Sequence, residues 1–178
     1  MAAAGGGAYA AHYTATFLAR MQDSCPNFAQ HVFAISGVSG GSIGASLFAG
    51  LAKLKARNQP YVGCNLNSGD RYFERRTQKF FEQDFLSPVT AAALFPDLLQ
   101  RFLPFPVGPF DRSRALDGSI EAAWHDMIED AATEDVSAKA LPSPFERPFL
   151  DLWTPVRADG AVPSLIINTT RWRTATAS

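Results

Sequence analysis

The chain is poor in the residues that hold metals or cross-link small scaffolds. It has three histidines, His12, His31 and His125, and two cysteines, Cys25 and Cys64, in 178 residues. The histidines are scattered and no HExxH or comparable ligand spacing occurs, so no metal site is expected. Two cysteines outside any CxxC arrangement are too few for a disulfide scaffold, and they leave the redox compartment open. Neither charge is in surplus, with a net charge of -1. That argues against a nucleic-acid partner and against a disordered acidic tail. No uncharged apolar run reaches the roughly 18 residues a membrane span needs. The closest stretch, "FLSPVTAAALFPDLLQRFLPFPVGPF", is interrupted by Asp97, Arg101 and several prolines. The N-terminus carries no basic residues ahead of its apolar ones, so no signal peptide is expected. No lysine follows the glycines at P-loop spacing.

What is present suits one packed domain: 47% of the residues are hydrophobic and 19% charged. Phenylalanine is abundant at 14 residues, many of them between Phe73 and Phe110, and these read first as core aromatics. The pattern along the chain alternates helix and strand. Ala8 to Gln22 predicts a helix, with an apolar stripe of Tyr9, Tyr13, Phe17 and Met21 beside Leu18. "DSCPN" (Asp23 to Asn27) breaks it. His31 to Ser36 reads as a short buried strand, and Ser42 to about Ala56 as a helix with Ile43, Leu47, Leu51 and Leu54 on one face. Lys53, Lys55 and Arg57 crowd that helix's C-terminal end, where cations suit the dipole. Asn58 to Asp70 is loop-like, and Arg71 to Asp84 predicts a charged helix. Pro88 to Phe105 predicts one or two short helices, Pro104 to Pro109 a turn, and Arg114 to Ala132 a further helix. Ala140 to Asp151 is irregular. "VPSLIINTT" (Val162 to Thr170) predicts a second strand. Helix, strand, tight turn, helix is an α/β pattern, expected around a parallel sheet.

The chemistry concentrates at one turn. Gly37-Val38-Ser39-Gly40-Gly41 fits G-x-S-x-G between a predicted strand and a predicted helix. A serine hydroxyl is a weak nucleophile that must project into a pocket. A sharp strand-to-helix turn achieves this at the expense of strained dihedrals and close backbone approach, and flanking glycines relieve both. The following helix aims its N–H groups and dipole at that serine, where an oxyanion would form. The plainer alternative is a glycine turn in which Ser39 or Ser42 caps the helix. Gly5, Gly6 and Gly7 stand before the first helix and can also direct N–H groups at an anion. Together with the Ser39 turn they form a candidate oxyanion hole. A Ser-Asp-His arrangement would have to use Asp111 or Asp117 and then His125. His125 lies mid-helix in "EAAWHDMIED" and reads as a solvated side chain, which turns attention to a base other than histidine.

"GGGAYAAHYTATFL" followed closely by "FAISGVSGGSIGASLFAGL" resembles the patatin-like phospholipases, in particular a bacterial branch of them. "DFLSPVTAAALFPDLLQRFLPF" and "VPSLIINTT" resemble that branch as well. The resemblance implies a three-layer α/β/α sandwich with a mainly parallel central sheet, incomplete at both ends. It implies a single partial hydrolase domain. Residues 1–57 would hold the oxyanion loop, strand, nucleophile elbow and helix, residues 58–161 a mostly helical and loop insertion, and residues 162–170 a later core strand. It implies lipid-ester hydrolysis by a Ser-Asp dyad without a cofactor, with Ser39 as nucleophile and Gly5, Gly6, Gly7 and the Gly40 N–H as oxyanion hole. Gly37 and Gly41 would shape the elbow. The expected partners are a lipid or acyl-ester substrate and a peripheral membrane contact. The segment from Phe73 to Phe110 could supply an acyl channel or a membrane-facing surface. The family's catalytic aspartate stands in a D-G-[GA] motif after later strands. Asp159-Gly160-Ala161 matches the letters but reads as a turn leading into a strand, so the expected aspartate lies beyond Ser178 and the chain is expected to be a fragment. Two alternatives stand beside this reading: a Ser-Asp-His esterase of the α/β-hydrolase type, and a non-catalytic module that binds a lipid or an anion.

Overall fold

The computed structural model describes the chain except for residues 67–68, 70, 96–97, 100–101, 104, 106–111, 132–142, 155–159 and 170–178. The chain forms two compact units, one from Met1–Thr77 with Leu152–Ser178 and one from Gln78–Asp151.

The first unit is mixed α/β. Its elements are β1 (Ala2–Ala3), α1 (Gly7–Ser24), α2 (Phe28–His31), β2 (Ala34–Val38), α3 (Gly40–Lys55) and β3 (Ser164–Asn168). The three strands form a parallel sheet in the order β1-β2-β3, with Ala3 beside Gly37, Ile35 beside Leu165 and Val38 beside Asn168. The expected parallel sheet is therefore present, with the strand that precedes Ser39 in the middle. Alternation puts Ile35 and Gly37 on one face of the sheet, where both are buried and Gly37 lies against the start of α3. Val38 and Ile166, on the opposite face, are about half exposed.

Two sequence expectations need correction. The stripe of Tyr9, Tyr13 and Phe17 is not the packed face of α1, since these side chains are 80%, 64% and 44% exposed. The buried face consists of Ala11, Ala15, Leu18, Ala19 and Gln22. The cause lies in α3. A Cβ at Gly44 would run into the Ala11 carbonyl oxygen and lie 3.0 Å from the Ala15 nitrogen. The two backbones approach so closely that only small residues fit the seam, and α1 is rotated to put its alanines there. Tyr9 and Tyr13 stack on each other on the outside, with ring centroids 6.5 Å apart. The second correction concerns the strand, which starts at Ala34 and not at His31. His31 closes the short α2, and Phe33 is 90% exposed. Gln22 fixes that turn, accepting from the Ala29 N–H at 2.8 Å and donating to the Pro26 carbonyl at 2.9 Å.

Helix α3 is buried almost all round, with Leu47, Phe48, Ala49 and Leu51 at its centre. Phe48 meets the rings of Phe28 and Phe73 at 6.0 and 6.1 Å. The cation-rich end expected from the sequence is real. The Arg57 guanidinium donates to the Leu54 and Ala56 carbonyls at 2.8 Å each, satisfying groups the helix end leaves open. Cys25 and Cys64 are joined in a disulfide that ties the loop after α3 to the C-terminus of α1. Asn27 reinforces that tie, donating to Gln59 and Pro60 carbonyls and accepting from the Val62 N–H at 2.6 Å.

Helix α4 (Tyr72–Phe81) runs from the first unit into the second. Asp23 caps its start, with its carboxylate accepting from the Phe73 and Glu74 N–H groups at 3.0 and 2.8 Å. The second unit contains α5 (Leu86–Leu94) and α6 (Arg112–Ala131). Phe80, Trp124 and Met127 are its largest buried side chains, and Phe145 contacts both Phe80 and Trp124. The reading of the phenylalanines as core holds for Phe73 and Phe80. It fails for Phe95, Phe102 and Phe105, each more than 60% exposed. Of the expected irregular stretch from Ala140 to Asp151, Phe149–Trp153 forms a 3-10 turn. Among the described residues no helix is long and apolar enough to cross a membrane.

Candidate active site

In a parallel sheet the C-terminal ends of all strands open onto one edge, and α/β folds place their sites there. Here that edge receives the glycine loop from β1, Ser39 from β2 and Asn168 from β3.

Ser39 has φ 51° and ψ -129°. Among the described residues it is the sole non-glycine with positive φ. Such a conformation costs on the order of 1–3 kcal/mol and persists only where the surroundings enforce it. The enforcement is visible. The Ser39 carbonyl accepts from the Ser42 N–H at 2.9 Å, which starts α3 at once. Gly37 lies flat against that first turn, so that a Cβ there would stand 2.8 Å from the Ser42 Cα. A Cβ on Gly41 would lie 2.5 Å from the Ala4 carbonyl oxygen, and one on Gly40 would collide with the Gly7 carbonyl oxygen. Glycine is required at these positions by contact, and Ser39 takes the strain.

The capping alternative does not describe this turn. Ser39 occupies the N-cap position, but its side chain makes no capping hydrogen bond. The Ser42 hydroxyl is buried without a hydrogen-bond partner. The Ser39 side chain is thus held at the mouth of α3 without being used by the helix. The Gly40 and Gly41 N–H groups at the very start of α3 have no carbonyl one turn earlier in the helix to bond, and the helix dipole adds a positive field there.

The structure brings the N-terminal glycines to this turn. A Cβ on Gly5 would be 3.4 Å from the Ser39 Cβ, and Gly7 meets Gly40. Gly6 and Gly7 both have positive φ, 148° and 62°, conformations that favour glycine. Gly5, Gly6, Gly7, Gly37, Ser39, Gly40 and Gly41 therefore form one constellation. An open groove of about 500 Å³ includes Gly5 and Gly6 and runs along α1, with Tyr9, Tyr13, Phe17, Leu18 and Ile35 in its walls. The outward aromatics of α1 thus line a groove that includes part of the glycine loop.

His125 belongs to the second unit, where its Nε2 lies 3.0 Å from a Glu146 carboxylate oxygen and its side chain is about half exposed. That fits the solvated helix-face reading. Asp117 is exposed on the same helix. Asp111 and Asp159 lie outside the described residues. Gly160 and Ala161 are described: Gly160 bridges Arg57, and Ala161 donates its N–H to the Ala56 carbonyl at 3.3 Å. No group of three His, Cys, Asp or Glu that could hold a metal occurs among the described residues.

Sequence reasoning missed Asn168. Its side-chain amide donates to the Ser36 hydroxyl oxygen at 2.8 Å and to the Gly37 carbonyl at 3.1 Å. The sequence offered one signal, a polar residue at the end of an apolar strand pattern. No protein-family model, no curated protein and no solved structure matches the chain.

Proposed function

We propose that the chain carries the nucleophile half of a serine acyl hydrolase acting on lipid esters, of the patatin-like type, within a three-layer α/β/α sandwich. One observation carries the reading: a lone strained serine at a strand-to-helix turn, its side chain unused by the helix it precedes and bordered by a second glycine loop. A structural turn has no need to hold a non-glycine residue at φ 51° when glycines stand next to it.

The chemistry follows from the parts. An aspartate accepts the Ser39 hydroxyl proton, and Oγ bonds to the ester carbonyl carbon. The carbonyl electrons move onto oxygen, and that oxyanion is held by N–H groups of the glycine loop and the first turn of α3. Collapse of the intermediate breaks the ester C–O bond, and the leaving alcohol takes the proton from the aspartate. Water then attacks the acyl-enzyme with the same carboxylate as base, releasing the acid and restoring Ser39. The groove along Tyr9, Tyr13 and Phe17 suits an acyl chain, being apolar and open at the glycine loop.

A fluorophosphonate probe tests the proposal on the native chain. Covalent labelling that disappears in Ser39→Ala is the expected result. No Ser39-dependent labelling, in this chain and in one extended past Ser178 to supply the expected aspartate, would remove the hydrolase reading. Asp159→Asn, run alongside, asks whether that residue is the base; unchanged labelling would assign the base elsewhere.

A further inference from the structure

We infer that Asn168 is a positioning residue for the Ser39 nucleophile, acting through the Gly37 carbonyl and the Ser36 hydroxyl. The inference rests on the hydrolase reading of Ser39.

Ser39 sits at φ 51° between a strand and a helix, and it can relax in two directions. It can slide toward α3, or the last residues of β2 can peel from the sheet. The first is blocked by contact, because Gly37, Gly40 and Gly41 are each packed against backbone. The second is left to the sheet. β1 ends at Ala3, which pairs with Gly37. Among the described residues Val38 has no strand partner on that side, where the glycine loop at Gly5 comes near it. On the other side β3 runs one residue further, to Asn168 beside Val38, and ends there. The last strand pairing on β2 before Ser39 thus falls on the last residue of β3.

Asn168 meets it with its side chain. One amide nitrogen donates across the strand gap to the Ser36 hydroxyl oxygen at 2.8 Å and to the Gly37 carbonyl at 3.1 Å. A contact to the Ile166 carbonyl at 3.5 Å holds the side chain back along its own strand. Two successive residues of β2, immediately ahead of Val38-Ser39, are therefore clasped by one group. An amide supplies two N–H donors, and a Ser36 hydroxyl that accepts from one keeps its own proton for another acceptor. Aspartate has the same shape but at neutral pH only accepts. It would face the Gly37 carbonyl with like polarity. That contrast separates a donor role from mere filling of space.

The test compares wild type, Asn168→Ala and Asn168→Asp on the full chain, by fluorophosphonate labelling over a series of probe concentrations. Without the clasp, Ser39 leaves the reactive geometry more often while the apolar groove is unaltered. The maximal labelling rate constant should therefore fall about tenfold in both variants, with the half-saturating probe concentration unchanged. The isosteric Asn168→Asp should recover relative to wild type as pH drops and its carboxyl regains a donor proton. Hydrogen exchange should quicken at Ser39–Ile43 and not in α6, a readout that needs no activity. Wild-type rates in both variants, or a change in half-saturation with the maximal rate unchanged, would overturn the assignment of Asn168 alone. Absence of Ser39 labelling in the wild type and in the chain extended past Ser178 would overturn the hydrolase reading, and this inference with it.

Discussion

Breaking the Cys25–Cys64 bond should cost the first unit about 4 kcal/mol. The bond spans 39 positions. Loop-closure entropy for a ring of that size is about -13 cal/mol/K, or about 4 kcal/mol at 25 °C. Set against the 5–15 kcal/mol typical of a domain, that is a large share. The native contacts should outlast the bond. Asn27 holds Gln59, Pro60 and Val62, and the Asn65 N–H reaches the Ser24 carbonyl at 2.7 Å. The effect should then lie in the unfolded chain, which gains freedom once the ring opens. The experiment is urea unfolding of wild type and a double variant, Cys25→Ser with Cys64→Ser, followed by tryptophan fluorescence. For a slope of ~2 kcal/mol/M the midpoint should fall by about 2 M. Reducing agent should shift the wild type to the same place and leave the variant unmoved. A variant within about 0.5 kcal/mol of wild type, under conditions where wild type has no titratable thiol, would refute the loop-closure reasoning.

Gly40→Ala places a methyl group on the Gly7 carbonyl; it should abolish Ser39 labelling and lower the melting temperature, and normal labelling would show that the two loops do not touch. Asp23→Ala removes both hydrogen bonds at the start of α4 and should destabilise by about 1 kcal/mol in the same urea assay. Asp84 accepts from the Leu86 and Ser87 N–H groups, and hydrogen bonds from Ser87 and Leu86 hold its carboxyl below its ordinary value. A lowered carboxyl stabilises the fold above the ordinary aspartate range and loses that contribution as pH falls through its own titration. A carbon-detected NMR titration should find Asp84 protonating at lower pH than an unstructured aspartate, and Asp84→Asn should lack that step in the acid unfolding curve.

The elbow was readable in the sequence because its demands are local. A turn that must bring Gly37, Gly40 and Gly41 against backbone writes those needs into five adjacent letters, and strand and helix periods on either side locate it. The orientation of α1 was not readable in the same way. Its rotation is set by Gly44 on another helix, and large aromatics outweighed small residues in the stripe of Tyr9, Tyr13 and Phe17. Ala11, Ala15 and Ala19, four apart, were the signal of a close helix seam. The disulfide was hidden because two loop cysteines carry no periodicity. Asn168 was hidden because its partners Ser36 and Gly37 stand 132 and 131 positions earlier.

That separation bears on the order of events during folding. The glycine loop, the elbow and α3 lie within the first 55 residues and can form from near neighbours. β3 must return across a whole inserted unit before it can pair with β2, and parallel pairing over such a span is slow. During that interval Ser39 has its turn but lacks the strand that flanks β2 on the open side. On this ordering, the clasp on the Ser39 turn arrives last, after the inserted unit has been made and β3 has docked. Under the proposed function, a chain still being synthesised would carry Ser39 in a form that cannot yet attack.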